Sequence, residues 1–261
     1  MKTRVISGLC MVPFALILFA GGKVLVAACA ILTAVAMHEF LTGFKHMGVK
    51  PAFAVAYASL FALYAINLFA DRAENYLAWV FASVLASLLI LFDIEKRQLQ
   101  DALATMAGVL YVGFFAFHIV KVEQTGEFEI LIWLIFITAF GTDIMAYFSG
   151  YLFGKHKLCE KISPKKTIEG SIGGILGSVA FAVLFSYFFA PNYLVHCAIL
   201  GVLGGIVSQF GDLTASIFKR KMGIKDYGKL IPGHGGVLDR IDSVMFTAPL
   251  VYYYIVIFMA K

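Results

Sequence analysis

Between Ser208 and Ser243, a chain that otherwise avoids charge sets four carboxylates, Asp212, Asp226, Asp239 and Asp242, among six bases, Lys219, Arg220, Lys221, Lys225, Lys229 and Arg240. Carboxylate oxygens hold hard divalent cations, while lysine and arginine hold phosphate oxygens, so this mixture suits a metal ion and several phosphates bound together. Ser208, Asp212, Ser216, Lys219 and Arg220 fall on one stripe if the preceding apolar helix runs on past them. The return, from Gly228 to Gly236, contains Pro232-Gly-His-Gly-Gly236, whose glycines let backbone approach a ligand. Asp239 and Asp242 then follow one helical turn apart. Asp212, Asp239 and Asp242 are the set expected to converge on Mg²⁺, which takes one or two carboxylates and completes its shell with substrate phosphates. A pair of acids opening a helix also offsets the helix dipole, but that role does not call for so many charges around a glycine-rich turn. His234, lying among the glycines, is read as a hydrogen-bond donor to phosphate.

Two upstream segments add to this set. In Gly141–Gly150, the residues Asp143, Tyr147 and Gly150 share one helical face. Asp143 would lie about 18 Å along a helix from Lys155, and a carboxylate so far into an apolar span is read as a functional group facing a polar cavity. Further on, Ser163-Pro164 reads as a helix N-cap with proline in the first turn. That would crowd Lys165, Lys166 and Thr167 at a helix N-terminus, an anion site, with Glu169 and Gly170 following.

The elements that must position these groups lie in membrane. Of 261 residues, 61% are hydrophobic and only 14% charged, and the mean hydropathy is +0.88, far beyond a soluble domain. Nine stretches approach the roughly 20 apolar residues of a span: about 5–20, 24–40, 52–70, 76–92, 103–120, 129–151, 171–190, 194–211 and 244–260. With the N-terminus cytoplasmic, nine spans place all of the 21 Lys and Arg residues except Lys23, Arg72, Lys121 and Lys261 on the cytoplasmic side, as short-loop charge bias requires. The expected fold is therefore an all-α polytopic integral membrane protein of about nine transmembrane helices. The net charge of +5 belongs to that face, whose natural partners are lipid headgroups and phosphates and not nucleic acid. Cys10, Cys29, Cys159 and Cys197 show no disulfide or zinc spacing. The signal-like start at Lys2 and Arg4 and the Val26–Cys29 lipobox mimic are read as uncleaved, because further spans follow. His38 and His118 are read as packed or bonded within apolar spans, and His156 and His196 carry no signal. No linker or repeat divides the chain, so a single membrane domain is expected over 1–261, with 1–130 mainly helical scaffold and 131–261 carrying the catalytic helices and loops.

These residues resemble one family, the phosphatidate cytidylyltransferases or CDP-diacylglycerol synthases. Its C-terminal pattern stands here as Ser216, Lys219-Arg220, Lys225-Asp226, Pro232-Gly-His-Gly-Gly236 and Asp239-Arg-Ile-Asp242. Asp143 with Ala146-Tyr147, and Ser163-Pro-Lys-Lys-Thr167 with Glu169-Gly170, also match its segments, whereas the first half resembles it only as a row of apolar helices. The resemblance implies transfer of a cytidylyl group from CTP to phosphatidate, releasing pyrophosphate, with Mg²⁺ as one ion or two. It implies Asp212 and Asp239 as metal ligands, with Asp143 and Asp242 beside or behind them. Lys165, Lys166, Lys219, Arg220, Lys225, Lys229 and Arg240 would hold phosphates. Ser163, Thr167, Glu169, Ser216, Asp226, His234, Gly235 and Gly236 would line the substrates. It further implies a site on the cytoplasmic side of a bacterial inner membrane and a homodimer. The competing readings are a CTP-dependent polyprenol or lipid-alcohol kinase and, from another class, a transporter, which should carry polar binding residues in both halves of the chain.

Overall fold

The computed structural model describes residues 12–230 and 235–260. Among them, helices account for nearly everything: α1 (Val12–Ala20), α2 (Gly22–Lys45), α3 (Phe53–Phe69), α4 (Ala73–Leu89), α5 (Leu99–Ala107), α6 (Phe115–Glu123), α7 (Ile132–Phe153), α8 (Ile168–Phe189), α9 (Leu194–Lys221) and α10 (Leu238–Tyr254). A π-helical stretch, Gly108–Phe114, joins α5 to α6. The sheet among the described residues is one antiparallel ribbon of β1 (Lys157–Cys159) and β2 (Ser163–Thr167).

Seven helical stretches are long and apolar enough to cross a bilayer, namely Gly22–Lys45, Ala73–Phe92, Leu99–Glu123, Gly126–Phe153, Ile168–Phe189, Pro191–Lys221 and Leu238–Met259, and α3 is a shorter apolar helix. These and α3 coincide with eight of the nine expected spans; the remaining one, 5–20, is described only from Val12 onward, as α1. Phe61, Phe69 and Phe81 are at least 70% exposed, which water would penalise and lipid does not. The protein is an all-α polytopic membrane protein.

Its contacts group into two compact units, Met1–Phe117 with Lys221–Arg240, and His118–Arg220 with Ile241–Lys261. In the first, α2 supplies the buried Leu25, Met37, Phe40 and Leu41. The Phe40 ring meets those of Phe44, Tyr111 and Tyr227. The turn into α3 is fixed by polar groups: Lys50 N donates to Asp101 Oδ1 at 2.7 Å and Ala52 N to Thr105 Oγ1 at 2.9 Å. Asp101 Oδ2 also accepts Gln98 N at 3.1 Å, closing a capping box at the start of α5.

In the second unit, small residues let helix backbones touch, as lipid-embedded packing favours. A Cβ at Gly170 of α8 would lie 2.8 Å from Ala146 O, and one at Gly174 would lie 3.0 Å from Thr142 O. At Gly173 and Gly177 it would overlap the side chains of Ser149 and Met145 on α7. Gly201 and Gly204 of α9 come equally close to Val179 and Thr138.

The expected N-cap at Ser163 is corrected. Ser163–Thr167 is strand β2, and α8 starts at Ile168 with Thr167 as its cap, Thr167 Oγ1 accepting Gly170 N at 3.1 Å. Pairing with β1 satisfies this backbone, and the local Ser-Pro signal yields to it.

Candidate active site

In the second unit, α9 continues to Lys221 and carries Ser208, Asp212, Ser216, Lys219 and Arg220 along its final turns. Gly211 allows α10 to press against it, since a Cβ there would come within 2.8 Å of Asp242 O and 3.1 Å of Ser243 Cα. This seat brings Asp212 and Asp242 near each other. Asp242 is buried and accepts Ser243 N on Oδ1 at 2.8 Å. It feels Asp212 and Asp143 as like charges and Lys219 as an opposite one. Ser216 Oγ reaches Asp212 Oδ1 at 3.5 Å. The structure thus gathers Asp143, Asp212, Asp242, Ser216 and Lys219 in one neighbourhood.

Lys166 joins them from β2, its ammonium forming an ion pair with the Asp212 carboxylate; both side chains are about one quarter exposed. Strand alternation sends neighbouring side chains to opposite faces. Lys165 accordingly stays exposed while Lys166 turns inward. The ribbon itself is tied down by Glu169, whose carboxylate accepts Lys155 N at 3.1 Å and His156 N at 3.2 Å and meets His156 Nδ1 at 2.6 Å. Arg220 Nε donates to Ile162 O at 3.4 Å, fastening the ribbon to α9. Thr167 and Glu169, expected to line substrate, therefore spend these polar atoms on the turn that presents Lys166.

In the first unit, Asp239 opens α10 and orders the glycine-rich segment. Its Oδ2 accepts Tyr227 N at 2.8 Å and Gly236 N at 2.9 Å. Gly235 has φ +86, a conformation that suits glycine, and a Cβ there would lie 2.8 Å from Asp239 Oδ2. Lys225, Asp226 and Lys229 are exposed in this segment. Arg240 is half-buried, and its Nε has no hydrogen-bond partner among the described residues. His234, with Pro232 and Gly233, lies outside the described residues.

The sequence reading passed over Glu39. This buried glutamate of α2 accepts Val237 N at 3.1 Å and Leu238 N at 2.9 Å. It caps the first turn of α10, where amides otherwise lack partners and negative charge is favoured. Gly228 and Gly236 crowd it so closely that a Cβ on either would collide with its carboxylate. The rule that singled out Asp143, an acid inside an apolar span, applies equally to Glu39. Of the histidines in apolar spans, His118 is buried against the rings of Tyr252 and Tyr253, and His38 Nδ1 bonds Tyr57 OH at 2.8 Å.

No group of three or more His, Cys, Asp or Glu side chains among the described residues is placed to hold a metal unaided. The donors nevertheless suit Mg²⁺, which uses one or two carboxylates and draws its other oxygens from phosphate and water. The Lys166 ammonium against Asp212 shows that the carboxylate attracts a cation here.

Fold and site together define an integral membrane enzyme built to handle phosphates. The chain belongs to the cytidylyltransferase family, whose model matches residues 2–258. It is 32% identical to a phosphatidate cytidylyltransferase of Synechocystis over 98% of this chain and 97% of that protein. It is 34% identical to the enzyme of that name from Staphylococcus haemolyticus and 35% to that from Staphylococcus aureus, each over 96% of this chain and 97% of the relative.

Proposed function

We propose that this protein transfers the cytidylyl group of CTP to phosphatidate, forming CDP-diacylglycerol and pyrophosphate for phospholipid synthesis, at the cytoplasmic face of a bacterial inner membrane. A phosphatidate oxygen attacks the α-phosphorus of CTP, one P–O bond forms, and the bond to the bridging oxygen of the departing pyrophosphate breaks. The nucleophile is already an anion. Catalysis is then mainly alignment of two mutually repelling phosphates and neutralisation of their charge.

The chain's own groups match that task. Lys166 and Lys219 stand beside the acids and supply positive charge for phosphate oxygens, and Arg220 follows on the same helix as Asp212. Asp212 and Asp242, with Asp143 near them, are the residues that would hold Mg²⁺, whose charge would relieve the repulsion at the α-phosphate and the leaving group. Asp239 and Glu39 keep the glycine-rich turn in shape through four backbone N–H bonds. No serine or cysteine nucleophile is required.

The gathering of Asp143, Asp212 and Asp242 with Lys219, in a chain with so little other charge, carries this reading. The test is purified protein in detergent with phosphatidate, Mg²⁺ and CTP labelled in its cytidine, followed by lipid chromatography. Cytidine label is expected in the lipid fraction, and it should vanish in Asp212→Asn although the variant still inserts. Label entering lipid only from the γ-phosphate would replace this activity with a kinase.

A further inference from the structure

The first unit contains a cavity of about 670 Å³ beside the turn that Glu39 holds. That volume lies within the ~300–1,000 Å³ common for small-molecule sites. One wall is a stripe of α2 in which Ala34, His38 and Thr42 follow at four-residue steps; Tyr57 of α3 and the segment Lys229-Leu230 close it. Its lining is largely apolar, with a few polar groups set among carbon.

Each of those polar groups is unusual for an apolar helix. His38 Nδ1 is bonded to Tyr57 OH at 2.8 Å. With the phenol donating, the imidazole keeps its proton on Nε2 as an N–H donor, and His38 and Tyr57 both line the cavity. Thr42 also lines the cavity, with its Oγ1 buried and without a hydrogen-bond partner among the described residues. Glu39, at the inner wall, has its oxygens occupied by the Val237 and Leu238 amides. Lys229 is exposed and adds a cation. His38 lies seven residues before Lys45, the last residue of α2, about 10 Å along the helix.

We propose that this cavity seats the head of a diacyl phosphomonoester lipid, with Lys229 at the phosphate, the His38–Tyr57 pair at the glycerol and ester oxygens, and Ala34 and Leu230 along the first acyl carbons. Free phosphate or nucleotide would use the lysine but not the apolar wall. The inference rests on phosphatidate being the lipid substrate and assigns the groups that select it.

The experiment has a kinetic arm and a labelling arm. His38→Ala and Tyr57→Phe are assayed in mixed micelles, varying phosphatidate at saturating CTP and then the reverse. Loss of one hydrogen bond to the head predicts an apparent KM for phosphatidate raised about tenfold, with the KM for CTP within twofold. Tyr57→Phe keeps the ring and removes one hydroxyl, so it separates recognition from packing. An unchanged lipid KM, or a CTP KM rising in parallel, overturns the assignment. In the second arm, wild-type protein is labelled with a photoreactive diacyl phosphatidate and its peptides are mapped. Label within residues 34–57, displaced by phosphatidate but not by glycerol phosphate or inorganic phosphate, supports the seat. Label elsewhere, or displacement by inorganic phosphate alone, overturns it. Label at 34–57 in protein that forms no CDP-lipid would remove the proposed activity and leave the lipid seat standing.

Discussion

Glu39→Gln is the sharpest test of how the glycine-rich turn is held. The wild-type carboxylate accepts two amides, Val237 N at 3.1 Å and Leu238 N at 2.9 Å, in a buried place. Glutamine keeps one acceptor oxygen and turns an NH₂ toward the other amide, so one hydrogen bond to a charged group is lost and two donors face each other. Such a loss costs about 1.5–3 kcal/mol, equivalent to a roughly 10- to 150-fold shift in the balance between ordered and open turn. The cost falls locally, because Glu39 binds the start of α10 and not the core packing of α2. Turnover of CTP into lipid is expected to fall by at least tenfold while the protein remains monodisperse in detergent. Hydrogen exchange at Val237 and Leu238 should accelerate by a similar factor. A variant with rates within twofold of wild type and unchanged exchange at both amides would refute the argument that this carboxylate organises the turn.

Gly235→Ala forces φ +86 on a residue with a Cβ and pushes that atom toward Asp239 Oδ2; strain of about 1–3 kcal/mol is expected to lower kcat at least fivefold in the lipid-labelling assay. Gly211→Ala should separate α9 from α10 at Asp242, giving a loss of activity that added Mg²⁺ only partly restores, read from a metal titration of initial rates. Lys166→Ala removes the cation paired with Asp212 and is expected to lower kcat/KM for CTP by about 10- to 100-fold, with Lys165→Ala, on the exposed side of β2, costing less than threefold.

The spans were readable because burial in lipid imposes a long, simple pattern, and that pattern survives in α2 through α10. The stripe on α9 was readable for a similar reason, since Asp212 and Ser216 are four residues apart on one helix and meet as that spacing requires. Ser163 was misread as a cap because a short ribbon has almost no periodicity, and its partner strand is only Lys157–Cys159. Glu39 stands out by the same rule as Asp143, an acid in an apolar span, but its role depends on amides nearly two hundred positions later. His38 reads as packed or bonded within its apolar span; that the partner is Tyr57, across the turn into α3, is a tertiary fact that helix pattern does not encode.

The glycine seam between α7 and α8 inverts the usual map of mutational tolerance. At Gly173 and Gly177, even one added methyl has nowhere to go. Phe69, 86% exposed, and Phe189, 67% exposed, are bulky residues that the bilayer would exchange for leucine almost without notice. Random mutagenesis should therefore register its heaviest losses at the positions with least to remove, and pass over these lipid-facing phenylalanines.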